Sequence, residues 1–575
     1  MESAFPSRWG ETVSLTSFCF RHRAALLIAL ILGYLYLRGI GDHGLLDPLE
    51  GVHASIGANA AFQGSSLRPE IGKAPYLGKS TGFWRLEALS LDILGWDEFS
   101  VRFWPALAGL GMAAAAALAV RRGRVRGARL AAVICGTSLL GFTASQLAAP
   151  HALYACLVSF ALVGFVRAWD DRHYAVLAHA AAALAFIVHG PEGILLPWLC
   201  LYLYSALTDD PKVLTRSLLY GPGAAVTVLL VLSYMLLLRL ENPMALTLML
   251  CRTPAALPSA SFALPVLAVG SLPWTGFLLR AVAASWPRSG EDLLNPEGPR
   301  LLLLTGAGVL LLFGVFMGDA LTLVSCLAPL AALTGDCLDE WLDKGRVRVL
   351  QGAVALNLIY LLLALTVGLL LLLGAFPVLS SALLSIVPWA VFLVLFGAAS
   401  WYYARTRQSA KMMRNLSAAA MLALLPLAGV FDLLAESTSM REVGLALRGA
   451  GRYVLAQYAM NRPSLFFYTL KDSVSVNGPL MPGFAEQKVE NDTALHLLWE
   501  GKERVFLLIG SEQPLIAPLP QEVNVLYDAG RLMVLSNRKL PLHAGTLQSA
   551  SSADVELARP YRGRGTSIEL QHDRL

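Results

Sequence analysis

The sequence is poor in charged residues and has no cysteine pattern that would form a disulfide framework. Only 15% of its 575 residues are charged and 56% are hydrophobic, whereas soluble domains carry roughly 25% charged residues. None of the seven cysteines follows Cys337, and no Cys-x-x-Cys pair or Cys/His cluster suggests a metal site. The basic residues gather at the ends of apolar segments, so the net charge of +5 does not indicate a nucleic-acid partner.

Long apolar runs fill most of the chain instead. A helix that crosses the hydrocarbon core needs roughly 20 apolar residues. We predict about thirteen such helices, the first of them uncleaved rather than a signal peptide. Their ranges are 24–40, 103–120, 128–147, 151–168, 174–189, 191–208, 217–239, 262–283, 300–317, 320–338, 349–374, 377–401 and 412–434. The sequence therefore predicts a polytopic all-α membrane protein.

Lysine and arginine follow an alternating pattern along these predicted helices. Most of them lie on segments that would face the cytoplasm if the N-terminus does, such as 121–129 and 405–414. The outer segments before the tail carry few, and most of those lie in or beside the loop 41–102. Because cytoplasmic loops are enriched in lysine and arginine, the pattern predicts a cytoplasmic N-terminus and an outer C-terminal tail.

The chain changes character after residue 434. Residues 441–457 predict an amphipathic helix, and TALHLLWEG (493–501) predicts a second helix. Short apolar runs predict strands at 464–470, 504–510, 523–528 and 532–537. The predicted organisation is a transmembrane domain over 1–434 and a small α/β domain over 435–575.

Residues 41–102 form an outer loop that is too long and too apolar to be a simple connection. An apolar stripe at helical spacing runs from 49 to 60, and FWRLEALSLDILGW (83–96) carries a second stripe. Both predict helices that lie in the plane of the membrane interface.

The charged residues of this loop have a structural and a functional interpretation. Asp47 precedes a proline and could cap the first helix. Lys79 could extend to lipid head groups, and Arg102 could pair with Asp97 or Glu98. Position alone leaves both interpretations open for each residue.

Several stretches occur in an order that resembles the GT-C glycosyltransferases. The resemblance is to the aminoarabinose transferases and related bacterial enzymes that are similar to protein O-mannosyltransferases. The stretches are DPLEGVHASIGANA (47–60), YLGKST (76–81), WDEFSVRFWPALAGL (96–110), IVHGPEGILLPWL (187–199), LPWTGFL (272–278) and RPSLFFYTL (462–470).

The resemblance implies a GT-C fold and an inverting transfer of a sugar at the periplasmic face of a bacterial inner membrane. The implied donor is a polyprenyl-phosphate sugar, and the implied acceptor is a lipid or an envelope glycan. A carboxylate would take the proton of the acceptor while the phosphate leaves. The resemblance implies no particular cofactor. Whether a divalent metal or a protein partner subunit takes part stays open at this point.

The resemblance also implies roles for individual residues of this chain. The implied catalytic carboxylates are Asp47 and Glu50. The implied substrate-binding residues are His53, Tyr76, Lys79, Arg102, His189 and Glu192.

The sequence departs from the family pattern at several of these polar positions. The family's catalytic aspartate falls on Leu49, and the acid before Lys79 is Gly78. His151 and His189 stand where an acid and a lysine are expected, and a later outer segment offers only Asp319 as a charged group.

Two functions of different class follow from these departures. The first is an active, divergent transferase that uses Asp47 or Glu50 as its base. The second is a catalytically degenerate relative that acts as a membrane scaffold or as a subunit that binds the carrier lipid. A transporter is disfavoured because the sequence shows no inverted repeat.

Overall fold

The computed structural model describes most of the chain and no ligand. The described residues are 15–64, 69–71, 74–76, 80–241, 243, 246–247, 260–288, 298–317, 319–375, 380–448, 450–481, 484, 489–510, 519, 523–528 and 532–538.

Helices dominate the first three quarters of the chain. The helices are α1 (Leu15–Leu37), α2 (Leu49–Gln63), α3 (Gly82–Leu94), α4 (Glu98–Ala119), α5 (Val125–Gly136), α6 (Leu139–Ser145), α7 (Pro150–Ala168), α8 (Tyr174–His189), α9 (Glu192–Thr208), α10 (Gly221–Glu241), α11 (Ala260–Gly270), α12 (Thr275–Ser285), α13 (Gly298–Met317), α14 (Leu327–Asp343), α15 (Val347–Ala375), α16 (Ser380–Arg405), α17 (Ser409–Ala423) and α18 (Leu427–Thr438). A π-helical turn at Leu214–Leu218 precedes α10, and a 3-10 helix at Ala320–Cys326 precedes α14.

The apolar helices fall short of the predicted thirteen crossings. Within the described residues, seven helical segments are long and apolar enough to cross a membrane, and nine if each of two bent pairs counts as one crossing. The predicted spans at 24–40, 174–189 and 191–208 correspond to shorter apolar helices. The count of thirteen is therefore not confirmed, because several predicted spans are shorter than the hydrocarbon thickness requires.

Two predicted spans are broken rather than straight. The span 128–147 bends by 61° between α5 and α6, and the span 262–283 bends by 113° between α11 and α12. Pro273 lies in the second break, where a residue without an N–H interrupts the helical hydrogen bonds.

The two helices predicted in the loop 41–102 are confirmed as α2 and α3. A two-residue hairpin, β1 (Glu70–Ile71) and β2 (Ala74–Pro75), lies between them. Helix α2 is buried on more sides than its apolar stripe predicts. Glu50, His53 and Ser55 are buried, whereas Leu49 is exposed. Polar side chains are buried at low cost only where they find partners, so their partners decide what this helix does.

The tail contains three more helices and a six-stranded sheet. The helices are α19 (Arg441–Arg448), α20 (Ser464–Thr469) and α21 (Asp492–Glu500), and the strands are β3 (Val454–Tyr458), β4 (Ser473–Val476), β5 (Val489–Glu490), β6 (Val505–Gly510), β7 (Asn524–Asp528) and β8 (Leu532–Ser536). The strand order is β5-β4-β3-β6-β8-β7. The first four strands in that order are parallel, and β8 and β7 continue the sheet in antiparallel fashion.

Three of the four strands predicted in the tail are confirmed, as is the helix predicted at 493–501. The strand predicted at 464–470 is wrong, because these residues form α20. The helix predicted over 441–457 ends at Arg448, and its last residues belong to β3. The first error concerns a short apolar run, for which periodicity does not separate a buried helix from a buried strand.

One face of the sheet shares a core with the loop 41–102. Leu455 and Phe506 of the sheet and Leu465 of α20 belong to the same buried cluster as Leu91 and Val101 of the loop and α4. The other face packs on α21 through Leu495 and Trp499. The tail is therefore fixed against the loop that carries the predicted site residues. The predicted domain boundary at 434 lies within α18 and stays a prediction.

Candidate functional site

Glu50 and Arg102 form a fully buried ion pair between α2 and α4. The Nε of Arg102 donates to Oε1 of Glu50 and the Nη2 donates to Oε2, each over 2.8 Å. The remaining guanidinium N–H groups donate to the carbonyl oxygens of Ile40, His43 and Gly44. All five donors of the guanidinium are thereby used.

The carboxylate of Glu50 is saturated in the same way. Besides the guanidinium, Oε1 accepts from the N–H of Ala148 over 2.7 Å and Oε2 accepts from the N–H of Leu46 over 2.8 Å. Although burial acts to raise the pKa of Glu50, Arg102 and these donors hold it below its ordinary value. The arrangement suits a structural ion pair and leaves no lone pair of this carboxylate to take a proton from a substrate. It also assigns Arg102 a partner other than the predicted Asp97 or Glu98.

Asp47 does not cap α2 as predicted. The residue before the first turn of α2 is Pro48, and no side chain caps this helix. Instead Oδ1 of Asp47 accepts from the N–H of Ser464 over 2.9 Å, and Oδ2 accepts from the Ser464 hydroxyl. Asp47 therefore caps α20 in the tail, because Ser464 is the first residue of that helix.

Further hydrogen bonds join the same two parts of the molecule. Ser55 donates to the carbonyl of Pro463 over 2.7 Å. The hydroxyl of Tyr468 accepts from the N–H of Leu45 and donates to Glu98, each over 2.9 Å. Burial raises the pKa of Asp47 to about 7, against the hydrogen bonds from Ser464, which lower it. Both predicted catalytic carboxylates thus hold structural contacts in this structure.

His53 and Tyr76 are brought together by Trp84 of α3. The indole N–H of Trp84 donates to Nδ1 of His53 over 3.1 Å, and the two rings stack with centroids 5.9 Å apart. The ring of Tyr76 meets the edge of Trp84 at 5.4 Å and that of Phe484 in the tail at 4.9 Å. These two predicted binding residues form one aromatic cluster. Lys79, the third predicted binding residue of this stretch, lies outside the described residues.

The remaining predicted residues, His189 and Glu192, lie between the end of α8 and the start of α9. Nδ1 of His189 is 2.7 Å from Oε1 of Glu192. An ionised carboxylate only accepts hydrogen bonds, so Nδ1 of His189 donates in this contact when Glu192 is ionised. The His189 ring stacks on Tyr154 with centroids 4.4 Å apart.

A second histidine–carboxylate pair faces the first. Nε2 of His151, at the start of α7, is 2.6 Å from Oδ2 of Asp319. The rings of His151 and His189 are 6.0 Å apart. Oδ1 of Asp319 caps the following 3-10 helix by accepting from the N–H of Leu321, and its side chain is 40% exposed, whereas both histidines are buried. We call His151, His189, Glu192 and Asp319 the histidine cluster.

The start of α3 connects the aromatic cluster to the histidine cluster. The Ser80 hydroxyl donates to the carbonyl of Ile187 over 2.6 Å, and Ser80 and Thr81 both contact the hydroxyl of Tyr234. Gly82 lies so close to Ile187 that a Cβ at this position would be 2.4 Å from the Ile187 carbonyl oxygen. Ile187 is two residues before His189, so the segment before α3 runs beside the histidine cluster.

Sequence reasoning assigned no role to Asp319 or Glu87. Asp319 is an isolated charge in an apolar segment, which is the signal that would have singled it out.

Glu87 is fully buried, and its carboxyl oxygens have no hydrogen-bond partner among the residues that the structure describes. Burial, and then the charge of Glu50, raise the pKa of Glu87 well above its ordinary value. Its place four residues from Phe83 and Leu91, on the apolar face of α3, predicts this burial.

A cavity of about 240 Å³ with a mixed polar and apolar lining lies between the β1–β2 hairpin and the tail. Ile71 and Ala74 line it from the hairpin, and Arg462, Ser473 and Ser475 line it from the tail. The described residues include no group of three or more His, Cys, Asp or Glu side chains arranged to hold a metal ion. Dependence on a divalent metal stays a prediction.

Comparison with known proteins supports the resemblance seen in the sequence. Residues 81–237 match the family model of dolichyl-phosphate-mannose-protein mannosyltransferases. The chain is 28% identical over 351 residues to undecaprenyl phosphate-alpha-4-amino-4-deoxy-L-arabinose arabinosyl transferase 2 of Pseudomonas fluorescens, a match that covers 56% of this chain and 61% of the relative. The match to the Pseudomonas aeruginosa LESB58 transferase of this kind is also 28% identical and covers 71% of this chain and 76% of the relative. The chain thus spans about three-fifths of the length of the P. fluorescens relative.

Solved structures show the same fold. The crystal structure of ArnT from Cupriavidus metallidurans bound to undecaprenyl phosphate superposes with a TM-score of 0.75 at 17% identity and covers 92% of this chain and 99% of that one. Its apo form gives a TM-score of 0.73 at 18% identity, with 90% and 98% covered. The resemblance to GT-C glycosyltransferases of the aminoarabinose transferase type is confirmed, and with it a multipass membrane fold.

Proposed function

We propose that this protein transfers a sugar from a polyprenyl-phosphate donor to a lipid or envelope-glycan acceptor at the outer face of a bacterial inner membrane. The similar curated proteins are named as transferases that use an undecaprenyl-phosphate sugar. The observation that carries the proposal for this chain is the histidine cluster, in which two histidine–carboxylate pairs face each other at the ends of membrane helices.

The proposed reaction is an inverting displacement at the anomeric carbon. The bond from that carbon to the donor phosphate breaks while a bond to the acceptor oxygen forms, and a base takes the acceptor proton. We assign the base to Asp319, because it is the exposed carboxylate of the cluster and His151 fixes its Oδ2. Both oxygens of Asp319 also accept hydrogen bonds, so the distinction is exposure: Glu50 and Asp47 are buried, whereas the Asp319 side chain is 40% exposed.

The leaving phosphate needs cationic or donor groups. We assign this role to His189, which stands where the family has a lysine, and to Lys79, which matches the family's phosphate-binding lysine. Glu192 fixes the tautomer of His189 through the 2.7 Å contact. The cavity beside Arg462 also offers Ser473 and Ser475, side chains suited to the hydroxyl groups of a glycan acceptor.

The orientation and the full number of crossings belong to the same proposal. The distribution of lysine and arginine supports a cytoplasmic N-terminus and a periplasmic tail. The proposed thirteen crossings would include the shorter helices α1, α8 and α9 and the α17–α18 pair in addition to the longer ones.

The test is release of the carrier from undecaprenyl-phosphate-linked 4-amino-4-deoxy-L-arabinose by the full-length protein in lipid nanodiscs, with extracted outer-membrane lipid as acceptor. Asp319→Asn is expected to lower kcat by about 10²–10⁴-fold, the range for loss of a general base. Glu500→Gln, which removes an exposed carboxylate of the tail, serves as the matched control and is expected to keep the wild-type rate. Full activity of Asp319→Asn would contradict the assignment of the base.

One observation favours the second candidate function, a catalytically degenerate relative that binds the carrier lipid. The two acids beside the missing family aspartate have become packing contacts, Glu50 with Arg102 and Asp47 with Ser464. Binding of undecaprenyl phosphate by the wild-type protein, with no turnover of any polyprenyl-phosphate sugar in a panel of donors, would support this candidate over the first.

A further inference from the structure

A large cleft opens at the opposite end of the membrane helices from the histidine cluster. Its volume is about 960 Å³. The cleft lies between α1 and α17, with α5 behind it, and belongs to the same end of the bundle as the turns that follow α4 and α16. Nothing in the proposed transfer reaction uses this end of the molecule.

The lining of the cleft is divided between charge and apolar surface. Arg129, Arg407, Lys411 and Arg414 lie at its outer rim, where α5 begins and α16 gives way to α17. Deeper in the membrane its walls are apolar and include Ile28 of α1 and Met421 of α17. A charged rim above an apolar wall matches the shape of a lipid with an anionic head group.

Most of the positive charge of this rim has no ion-pair partner among the described residues. Arg126 also lines the cleft, and it is the exception, because it pairs with Asp339 and Asp343. Outside the cleft, Arg121 and Arg300 of the same membrane face pair with Asp336. Among the described residues, no carboxylate forms an ion pair with Arg129, Arg407, Lys411 or Arg414. The acids of α14 therefore pair with Arg121, Arg126 and Arg300, and the other basic residues give the cleft a net positive charge.

Helix α17 carries both the charged and the apolar part of the cleft lining on one face. Lys411 and Arg414 are three residues apart, so they share one face of α17. The same face continues inward with Ala418 and Met421, which also line the cleft. Both cations are exposed, so a head group reaches them without displacing protein contacts.

We propose that this cleft binds an anionic diacyl phospholipid, with the phosphate on the cationic rim and an acyl chain along Ile28 and Met421. The occupant is a bilayer phospholipid rather than the polyprenyl-phosphate carrier, because the transfer reaction places the carrier at the other membrane face. Bound there, the lipid fills the space between α1 and α17. The choice of a bilayer phospholipid over the carrier rests on the proposed transfer reaction, whereas the cationic rim and the apolar wall do not.

The test is native mass spectrometry of the full-length protein, delipidated in detergent and titrated with phosphatidylglycerol or with phosphatidylcholine of the same acyl chains. The wild-type protein is expected to retain phosphatidylglycerol in preference to phosphatidylcholine. A surface cation contributes about fivefold to the binding of an anionic lipid, so Lys411→Gln with Arg414→Gln should weaken phosphatidylglycerol binding on the order of 25-fold. Arg129→Gln, on another wall of the cleft, should weaken it by about fivefold.

The matched control is Lys212→Gln with Arg216→Gln, which removes two exposed cations from the same membrane face outside the cleft. It is expected to bind phosphatidylglycerol as the wild type does. Three results would overturn the proposal: equal retention of the two phospholipids by the wild type, equal binding by the cleft and control variants, or stronger retention of undecaprenyl phosphate than of phosphatidylglycerol.

Discussion

Two polar regions at the outer ends of the membrane helices differ in how completely their charged groups are satisfied. In the Glu50–Arg102 region, both charges are fully buried and every donor and acceptor of the pair has a protein partner. In the histidine cluster, each histidine pairs with one carboxylate. Asp319 also accepts from the N–H of Leu321 and the hydroxyl of Thr322, but its side chain remains 40% exposed. The first region has the character of a structural core, and the second that of a site that meets a substrate.

The difference shows that burial and charge do not identify a catalytic acid by themselves. Glu50 follows Leu49, where the family has its catalytic aspartate, and Asp319 is the one charged group of a later outer segment. Glu50 is enclosed by donors that hold it ionised, whereas Asp319 keeps contact with the outside of the protein. A group that must accept a proton from a substrate needs access to it, and only Asp319 of the two has that access.

The largest expected effect concerns the structural region. Glu50→Gln removes the charge that balances Arg102 and turns one acceptor oxygen into a donor that faces N–H groups. Removing one member of a buried ion pair costs about 3–5 kcal/mol, so we expect a large fall in the melting temperature of the purified protein. The measurement is thermal unfolding in detergent, followed by intrinsic tryptophan fluorescence.

The matched control for this prediction is Glu87→Gln. Glu87 is as deeply buried as Glu50, but its carboxyl oxygens have no hydrogen-bond partner among the described residues, and burial raises its pKa well above the ordinary value. A neutral amide of the same shape should therefore change the melting temperature little. Equal destabilisation by the two substitutions would contradict the structural role of the Glu50–Arg102 pair. A similar loss of stability in Asp319→Asn would remove the contrast between the two regions.

An intermediate effect concerns Asp47, which joins the loop to the tail. Burial raises its pKa to about 7 in the folded state, above the value of about 3.9 in an unfolded chain. The folded state therefore binds the proton more tightly, and the stabilisation is present at low pH and is lost as the pH rises through 7. Between pH 5 and pH 8 the docking of α20 should weaken by at most about 3 kcal/mol.

The measurement for Asp47 is hydrogen exchange of the amides of 464–469, corrected for intrinsic exchange at each pH. Asp47→Asn is the control, because the amide keeps an acceptor for the Ser464 N–H and does not titrate in this range. The wild type should lose protection as the pH rises, and the variant should show a flat profile. A flat wild-type profile would mean that Asp47 is ionised throughout.

The regular elements were predictable where a long periodic pattern or an isolated strand pattern was present. Helices α2 and α3 and strands β6, β7 and β8 follow from such patterns. The segment 464–470 was assigned to the wrong class because its apolar run is short and its helix is stabilised by tertiary contacts. One of these contacts is the cap from Asp47, 417 residues away in sequence, which no local pattern reveals.

The segments that carry the site could be predicted from the sequence, but the contacts of the individual residues could not. The loop, the end of α8 and the start of α9 do come together, as the order of motifs implied. The partner of Arg102 was mistaken, because Asp97 and Glu98 are closer in sequence while Glu50 is closer in space. The pairing of His151 with Asp319 joins residues 168 positions apart, and only the three-dimensional fold brings them within hydrogen-bond distance.

The smallest expected effect tests whether the tail is fixed to the loop by individual hydrogen bonds as well as by the shared apolar core. Ser55 is fully buried and donates to the carbonyl of Pro463 over 2.7 Å. Ser55→Ala leaves that carbonyl without this donor, at a cost of about 1 kcal/mol. Amides of 464–469 should exchange about fivefold faster as a result.

Ser90→Ala is the matched control, because Ser90 is an equally buried serine that donates to Glu87 and Ser100 within the loop and α4. This variant should speed exchange in α3 and leave α20 unchanged. Faster exchange in α20 for both variants would mean that the loop and the tail open as one cooperative unit. An unchanged α20 in Ser55→Ala would instead assign the docking to Asp47, Tyr468 and the apolar cluster around Leu465 alone. Faster exchange of α20 in Ser55→Ala alone would show that individual hydrogen bonds also hold the interface with the tail, beyond the Glu50–Arg102 pair.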